Sequence, residues 1–247
     1  MIDLNATNQE EEQLLSSLRV AQWDAFHGQE QVKESLQITI QAAKERDEAN
    51  DHVLLYGPPG LGKTTLSNLI AQEMQSDITT TSGTALAKTG DLAAILTNLE
   101  QQDILFIEEI HRLPKAIEEM LYSAMEDFAL DIVLGKGPSA RTVRLELPHF
   151  TLVGATTRFG SLAGPFRDRF GIIHRMYHYD PPELQHIVAQ AANYLEIQMD
   201  AAAALEVARR SRGTPRIALK LLKRVRDYWQ VRGSDDINTA TVREALD

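Results

Sequence analysis

The sequence predicts an α/β fold: a parallel sheet built around a phosphate-binding loop, followed by a small all-helical domain. The first observation is the loop, because Gly57-Pro-Pro-Gly-Leu-Gly-Lys-Thr-Thr65 fits the G-x-x-x-x-G-K-[ST] template between an apolar strand and a helical segment. The second is a pair of continuous apolar runs, at 104–107 and 150–155, which are typical of strands buried on both faces of a parallel sheet. The third is Asp180-Pro181-Pro182, a turn signal after which the periodic segments are all helical.

The composition is that of a globular protein without disulfides. The 247 residues are 43% hydrophobic, which suits one large domain or one medium domain with a small companion. No apolar run approaches the ~20 residues of a membrane span, and the acidic lead-in at 1–17 carries no secretion signal. There are no cysteines, and the seven histidines are scattered without ligand spacing. We therefore expect a cytoplasmic protein with no membrane partner and no histidine metal site.

The charge distribution is uneven. A net charge of −10 argues against a surface that binds nucleic acid throughout. Between Leu205 and Arg232, however, nine basic residues stand against two acidic ones. This basic stripe is either a solvated helix face or a surface for phosphates or a partner, and composition alone does not decide between them.

The other elements follow from hydrophobic periodicity and turn signals. Asp91 is placed to cap a helix that carries Leu92 and Leu96. Two β-like runs, 130–134 and 142–146, bracket a glycine-containing turn and predict a hairpin. The predicted strands are 53–56, 78–81, 104–107, 150–155 and 172–176, and the predicted helices are 30–46, 65–74, the one after Asp91, 116–128, 182–195, 201–211, 216–232 and 239–246.

The phosphate-binding loop predicts nucleotide chemistry. Its glycines let backbone N–H groups approach phosphate oxygens, and the following helix N-terminus adds partial positive charge. Lys63 is expected to reach the β- and γ-phosphates, and the Thr64 hydroxyl to coordinate Mg²⁺. The alternative is a glycine-rich turn without a ligand, which the strand–loop–helix context disfavours.

Two carboxylates, Glu108 and Glu109, follow the buried strand 104–107. Ligands of open α/β sheets bind beyond the carboxyl ends of the strands, so these side chains are expected at the site. One carboxylate would enter the Mg²⁺ shell and the other would orient or deprotonate water. The alternative is that the acidic pair belongs to a solvated turn without a catalytic role.

Polar and basic residues after the strand 150–155 are further candidates. Thr156, Thr157 or Arg158 is placed to sense a γ-phosphate from a neighbouring strand, and the alternative is a simple strand cap. Arg167 and Arg169 are candidates for an arginine finger, although a single arginine is more often a surface ion-pair partner.

Six segments of the sequence form a combination that is more specific than the phosphate-binding loop alone. They are 54–66, Gly90-Asp-Leu-Ala-Ala-Ile-Leu-Thr-Asn98, Glu126-Asp-Phe128, Gly154-Ala-Thr-Thr-Arg158, Arg167-Asp-Arg-Phe-Gly171 and Arg212-Gly-Thr-Pro-Arg216. Together they resemble the RuvB family of AAA+ ATPases, hexameric motors that drive Holliday-junction branch migration. The resemblance runs from about Leu18 to Asp247 and implies an AAA+ P-loop domain with a helical lid. The matches at 90–98 and 154–171 disfavour clamp-loader and initiator types of AAA+ protein.

The resemblance implies a role for each matching residue. Catalysis would involve Lys63, Glu109 as the base, Thr156 or Thr157 as sensor 1, and Arg169 as a finger offered to the neighbouring subunit. Glu108 and Thr64 would hold Mg²⁺. The residues implied to contact ATP are Leu18, Arg19, Gly60, Leu61, Gly62, Lys63, Thr64, Thr65, Glu126, Asp127, Phe128, Arg169, Tyr179 and, as sensor 2, Arg216.

The resemblance also implies domains and partners. It divides the chain into a lead-in at 1–17, a large ATPase domain at 18–179 and a lid at 180–247. The hairpin 130–147 is similar to the one with which the family engages its junction-recognising partner, RuvA. Self-association into a hexameric ring and contact with Holliday-junction DNA follow from the same resemblance.

Three positions depart from the family pattern. Glu108 stands where the family has aspartate, and its extra methylene pushes a carboxylate further towards Mg²⁺, which tolerates little distortion, so we expect hydrolysis to be reduced rather than absent. Val20 replaces a proline near the start. The chain ends at Asp247, where the family's DNA-binding winged helix would begin, which leaves direct DNA binding open. The competing hypothesis is therefore a nucleotide-gated AAA+ assembly or adaptor protein that hydrolyses ATP weakly.

Overall fold

A computed structural model describes residues 22–134, 141–232 and 236–247. Leu18 and Arg19, two of the expected nucleotide contacts, lie outside these residues. The described part confirms the predicted fold class: a five-stranded parallel sheet with helices, followed by a run of helices. No helix among the described residues has the length and apolarity needed to cross a membrane.

The sheet has the strand order β2-β3-β6-β1-β7. Its central strands β3, β6 and β1 are buried along nearly their whole length, which explains their continuous apolar runs. Neighbouring strands pair in parallel, with Leu54 opposite Gly154 and Phe106 opposite Val153. The strands are β1 (Val53–Tyr56), β2 (Ile78–Ser82), β3 (Ile104–Glu108), β6 (Thr151–Thr156) and β7 (Ile172–Arg175).

Helices follow the predicted positions, with shifts at their ends. The helix after the phosphate-binding loop begins at Lys63 rather than Thr65. The next begins at Thr89, so Asp91 lies inside its first turn and accepts from the backbone N–H groups of Ala87 and Lys88. The helices are α1 (Glu30–Arg46), α2 (Lys63–Met74), α3 (Thr89–Leu96), α4 (Lys115–Glu126), α5 (Gly164–Arg167), α6 (Pro181–Tyr194), α7 (Ala201–Arg210), α8 (Pro215–Arg232) and α9 (Thr239–Leu246).

The predicted hairpin is present as a separate antiparallel pair. Strand β4 (Ala129–Leu134) pairs with β5 (Arg141–Glu146), with Leu130 opposite Leu145 and Ile132 opposite Val143. The turn between them lies outside the described residues. Every position of β5 is exposed, including Val143 and Leu145, so this strand presents apolar side chains to solvent.

The chain divides into two compact units. One contains residues 31–57 and 66–176 and holds the sheet. A hydrophobic core packs α3, α4 and the hairpin base against β3 and β6 through side chains such as Leu105, Leu121 and Phe166. The other unit contains the phosphate-binding loop at 58–65, the segment 177–247, and the described residues before 31.

Candidate active site

The phosphate-binding loop continues directly from β1 and ends in the first turn of α2. Three of its glycines have positive φ angles: 146° at Gly57, 80° at Gly60 and 100° at Gly62. These values favour residues without a Cβ and turn successive backbone groups toward one side of the loop. The conformation fits a cradle for phosphate oxygens at the positive end of a helix.

Lys63 lies at the start of α2 and is nearly buried, at 9% exposure. Its Nζ donates a 2.7 Å hydrogen bond to the carbonyl oxygen of Pro58, within the same loop. Thr64 and Thr65 follow in the first helical turn and are half-buried. The loop therefore brings together an ammonium and hydroxyl groups, which are the donors that a triphosphate with Mg²⁺ requires.

Arg216 reaches the loop through its backbone. Its N–H donates to the carbonyl oxygen of Gly60 at 3.3 Å, and the side chain is exposed. A Cβ added to Gly60 would lie 2.8 Å from Arg216 Cβ and 2.9 Å from Thr214 Cγ2. Only glycine permits this approach at a positive φ, so Gly60 is needed for the close packing of the start of α8 as well as for the shape of the loop.

Tyr179 holds the same loop from another side. It is 5% exposed, and its hydroxyl donates to the carbonyl oxygen of Leu61 at 3.1 Å. Burial raises the pKa of the Tyr179 phenol well above its ordinary value, so the group stays a neutral donor at physiological pH. The predicted contacts Tyr179 and Arg216 thus both fix carbonyl groups of the loop.

The acidic pair lies at the end of β3, as predicted. Glu108 closes the strand, and Glu109 adopts a left-handed backbone conformation with φ 48° and ψ 46°. A left-handed glutamate is uncommon and marks a position where the backbone is constrained by its surroundings. Here the Glu109 carbonyl oxygen accepts from Arg112 N–H at 2.8 Å and would lie 2.5 Å from a Cβ added to Gly83.

The Glu109 carboxylate is held by two side chains. Its Oε2 accepts a hydrogen bond from the Thr157 hydroxyl at 2.9 Å and lies 3.3 Å from Nδ1 of His111. The ring of His111 is in turn 2.9 Å from Thr156 Oγ1, which also accepts from Arg158 N–H at 3.0 Å. Both candidate threonines therefore belong to one network around the proposed base.

His111 is the member of this network that sequence reasoning missed. Burial lowers its pKa, while the Glu109 carboxylate acts in the opposite direction and Arg158 and Arg112 add to the lowering. The ring is therefore neutral near pH 7. The available signal in the sequence is a histidine that closely follows the acidic residues at a strand end. Its role depends on Thr156, which is close to it only because β6 lies beside β3 in the sheet.

Arg169 lies at the opposite edge of the sheet. Its Nη2 is 2.8 Å from Glu126 Oε2, its Nη1 donates to the carbonyl oxygen of Pro165, and its guanidinium carbon lies 4.5 Å from the centre of the Tyr122 ring. We call these four residues the finger cluster. Within the described residues, Nε of Arg169 is buried without a hydrogen-bond acceptor.

Contacts at the start of β1 place this cluster at the amino edge of the sheet. His52, which precedes β1, is 3.2 Å from the carbonyl oxygen of Met125 at the end of α4. Next to Met125 stands Glu126, a member of the finger cluster. On the other side of the cluster, a Cβ added to Gly171 would lie 3.1 Å from Asp51 Cβ. The finger cluster and the strand ends at Glu108 and Thr156 thus occupy opposite edges.

The segment 126–128 lies at this same amino edge. Phe128 has a positive φ of 47° and stacks on His149, with ring centres 4.1 Å apart. Asp127 forms an exposed ion pair of 3.2 Å with Arg144 on β5. The structure therefore groups Glu126, Asp127 and Phe128 with Arg169.

Nearly the whole chain matches one family of known proteins. Residues 18–176 match the family described as "Holliday junction DNA helicase RuvB P-loop domain", and residues 179–247 match "RuvB AAA lid domain". A curated relative, the "Holliday junction branch migration complex subunit RuvB" of a Nitratiruptor species, is 56% identical over 238 residues, which are 96% of this chain and 71% of the relative.

Solved structures give the same result. The structure described as "Thermotoga maritima RuvB Holliday junction branch migration motor" is 52% identical to this chain and superimposes with a TM-score of 0.84. The match covers 93% of this chain and 72% of the Thermotoga maritima chain. A point mutant of that Thermotoga maritima protein has a TM-score of 0.86 and 52% identity, with the same coverage of 93% and 72%.

Proposed function

The chain belongs to the RuvB family, and we propose that it is an ATP-hydrolysing subunit of a motor that drives Holliday-junction branch migration in DNA recombination and repair. One observation carries the ATPase part of the proposal. Strands β3, β6 and β1 are parallel neighbours in the sheet, so their carboxyl ends lie at the same edge. At this edge the chain continues into Glu109 after β3, Thr157 after β6, and Gly57 of the phosphate-binding loop after β1. Glu108 and Thr156 are the last residues of β3 and β6.

We propose that the loop residues hold the phosphates of ATP. Backbone N–H groups of Gly60, Leu61 and Gly62 contact phosphate oxygens, and Lys63 pairs with the β- and γ-phosphates after leaving the Pro58 carbonyl. Thr64 and Glu108 would hold Mg²⁺, and Thr65 completes the first turn. Mg²⁺ held there would supply positive charge that neutralises the triphosphate. The contact of Arg216 with the loop supports the assignment of 180–247 as a lid that responds to nucleotide.

Glu109 is the proposed base. Its carboxylate orients a water molecule and takes the proton as that water attacks. Thr157 holds the carboxylate directly, and Thr156 acts through His111, so the two threonines share the support of the base. Hydrolysis at this site needs no covalent intermediate on the protein, since positioning and electrostatic stabilisation account for catalysis of phosphoryl transfer.

Arg169 is proposed to act on the ATP of a neighbouring subunit. The finger cluster lies at the amino edge of the sheet, whereas the base lies at the carboxyl edge. A strand of six residues such as β6 spans about 20 Å at 3.3 Å per residue, which is too far for Arg169 to serve its own chain. Head-to-tail association of subunits would bring Arg169 of one subunit to the ATP of the next. Such a heterologous interface produces a ring when its rotation closes. The hexamer is the ring expected from the family.

Further parts of the proposal concern partners. The exposed apolar side chains of β5 make the β4–β5 hairpin suitable for contact with a RuvA-like protein. Four-way junction DNA is the substrate on which the ring acts. We place the protein in the cytoplasm and divide it into an ATPase domain at 18–179 and a lid at 180–247.

The test is the ATPase rate per subunit as a function of protein concentration, with and without four-way junction DNA and a RuvA protein. We expect the rate to rise with concentration and with junction DNA, and to be lost in Lys63→Ala and in Arg169→Ala. A rate that is independent of concentration and survives both substitutions would sink the proposal. Tight ATP binding with negligible turnover under all conditions would instead favour the nucleotide-gated adaptor.

A further inference from the structure

The ring of Tyr122 lies directly beneath the Arg169 guanidinium and has no role in the function described so far. The distance from the guanidinium carbon to the ring centre is 4.5 Å. The Tyr122 hydroxyl donates to Glu118 Oε1 at 2.6 Å, one turn earlier on α4. The ring also contacts Phe166 of the hydrophobic core, with centres 5.6 Å apart. Tyr122 therefore connects the arginine to the core of the sheet unit.

We propose that Tyr122 is a positioning residue for ATP hydrolysis, whose ring holds Arg169 in the orientation from which it reaches the neighbouring subunit's ATP. The inference rests on the proposed action of Arg169 in trans. It differs from a structural role because it requires the negative face of an aromatic ring, and not only an apolar side chain of similar size.

The contacts of Arg169 divide into permanent and exchangeable ones. Its side chain is only 22% exposed, whereas that of Glu126 is 62% exposed. Nη1 donates to the backbone carbonyl oxygen of Pro165, and the guanidinium carbon lies over the Tyr122 ring, so neither of these contacts involves an anion. Nη2 contacts the exposed carboxylate of Glu126, which is the anionic partner among the three. An arriving triphosphate therefore replaces Glu126 at Nη2 without disturbing the other two contacts.

The chemistry of the ring suits this role. Burial, with a further contribution from Glu118, raises the pKa of Tyr122 to about 12, so the ring stays neutral and electron-rich. The hydroxyl that donates to Glu118 fixes the rotation of the ring. A cation over such a face is held more strongly when it is partly desolvated than when it is in water. An arginine held in place also loses less side-chain entropy when it meets a phosphate.

The first experiment measures kcat and KM for ATP in Tyr122→Leu, Tyr122→Phe and Arg169→Ala. We expect Tyr122→Leu to lower kcat about tenfold, because about 1.4 kcal/mol of transition-state stabilisation corresponds to that factor. KM should change less than about twofold, since the substrate's own binding loop is untouched. Tyr122→Phe keeps the ring and should retain most of kcat. Tyr228→Leu, which removes a ring beneath Arg232 on α8, is the matched control and should have no effect.

The second experiment mixes subunits. Lys63→Ala subunits cannot turn over ATP but carry an intact Arg169 and Tyr122. Added to Tyr122→Leu subunits, they should restore turnover per Tyr122→Leu subunit, because each Lys63→Ala neighbour supplies a well-placed arginine. Added to Arg169→Ala subunits, they should do the same.

These outcomes separate the two proposals. If Lys63→Ala complements Arg169→Ala but not Tyr122→Leu, action in trans holds and the role of Tyr122 is overturned. If neither pair complements, action in trans fails and the inference fails with it. Should Tyr122→Leu not fold, phenylalanines with increasing fluorination at position 122 keep the shape and weaken the ring face. A kcat that falls stepwise with fluorination supports the proposal, and a constant kcat overturns it.

Discussion

Thr157 and Glu109, which follow the neighbouring strands β6 and β3, are joined by a 2.9 Å hydrogen bond from the threonine hydroxyl to the glutamate carboxylate. Glu109 has a left-handed backbone, so its side chain leaves the strand end in a direction that an extended residue would not give. The bond from Thr157 fixes the remaining rotation of the carboxylate. The base is therefore oriented by a residue of the adjacent strand.

This bond predicts that Thr157→Val lowers the rate of hydrolysis. Loss of a hydrogen bond to a charged group costs about 1.5–3 kcal/mol, which corresponds to roughly a tenfold or larger fall in kcat. Affinity for ATP should hardly change, because Thr157 touches the base and not the phosphate-binding loop. Single-turnover rates and equilibrium binding of ATP would measure the two effects. Thr157→Ser keeps the hydroxyl and should restore most of the rate, whereas a serine variant as slow as the valine variant would contradict the prediction.

The sequence was sufficient to predict the local elements. Strands β1, β3 and β6 were found because each is buried on both faces, and such strands are nearly continuous in apolar residues. The hairpin was found because its two strands are close in the chain. The order of the sheet was not predicted, since no local signal indicates that β6, which follows the hairpin, inserts between β3 and β1.

The residues of the site divide in the same way. The phosphate-binding loop and the acidic pair are recognisable from the local sequence. Family resemblance selected Arg169 over Arg167 as the finger and added Glu126. Neither source could predict that Arg169 pairs with Glu126 across 43 positions, or that His111 meets Thr156 across 45. Such contacts arise from the packing of α4 on the sheet and from the position of β6 beside β3, and no periodicity in the chain encodes them.

We predict that shortening the side chain of Glu108, at the end of β3, raises the ATPase activity. Glu108→Asp withdraws the carboxylate by one methylene, which suits the near-ideal octahedral shell that Mg²⁺ demands. We expect kcat to rise several-fold and half-maximal activation to occur at lower Mg²⁺. Titrating ATPase activity with Mg²⁺ would measure both. Glu108→Gln keeps the length and removes the charge, so it should weaken activation. An aspartate variant no faster than the parent would show that Glu108 already fits the metal.

His52, buried before β1, predicts a loss of stability in acid. Burial lowers its pKa, and the ring accepts at Nδ1 from Leu152 N–H at 2.9 Å, a contact that a protonated ring cannot keep. The unfolded chain has an ordinary histidine pKa near ~6.5, so it binds the proton more readily than the folded chain. The contribution of His52 is therefore complete above that value and is lost as pH falls below it, by at most about 1.4 kcal/mol per pH unit.

Urea unfolding between pH 5 and 7.5 would measure this dependence. In His52→Asn the free energy of unfolding should be lower throughout, but its slope against pH below 6.5 should be smaller. Equal slopes in the parent and in His52→Asn would show that His52 does not titrate differently in the two states.

Gly60 and Gly90 predict opposite results for the same substitution. Gly60 has a φ of 80°, and an added Cβ would lie 2.8 Å from Arg216 Cβ, so alanine is strained there and forces the loop and the start of α8 apart. Gly90 lies in the first turn of α3, where an added Cβ meets nothing within 4 Å. There alanine should stabilise the protein by about 0.5–1 kcal/mol.

Thermal unfolding and ATP binding together test this pair. Gly60→Ala should cost about 1–3 kcal/mol and weaken ATP binding at least about tenfold, because the distorted N–H groups are those that contact phosphate. Gly90→Ala should raise the melting temperature by a few degrees at most, on the scale of about 2–4 °C per kcal/mol, with ATP binding unchanged. If Gly60→Ala binds ATP as tightly as the parent, the close approach of Arg216 to the loop is not required for nucleotide binding, and the lid assignment of the α8 start loses its structural basis.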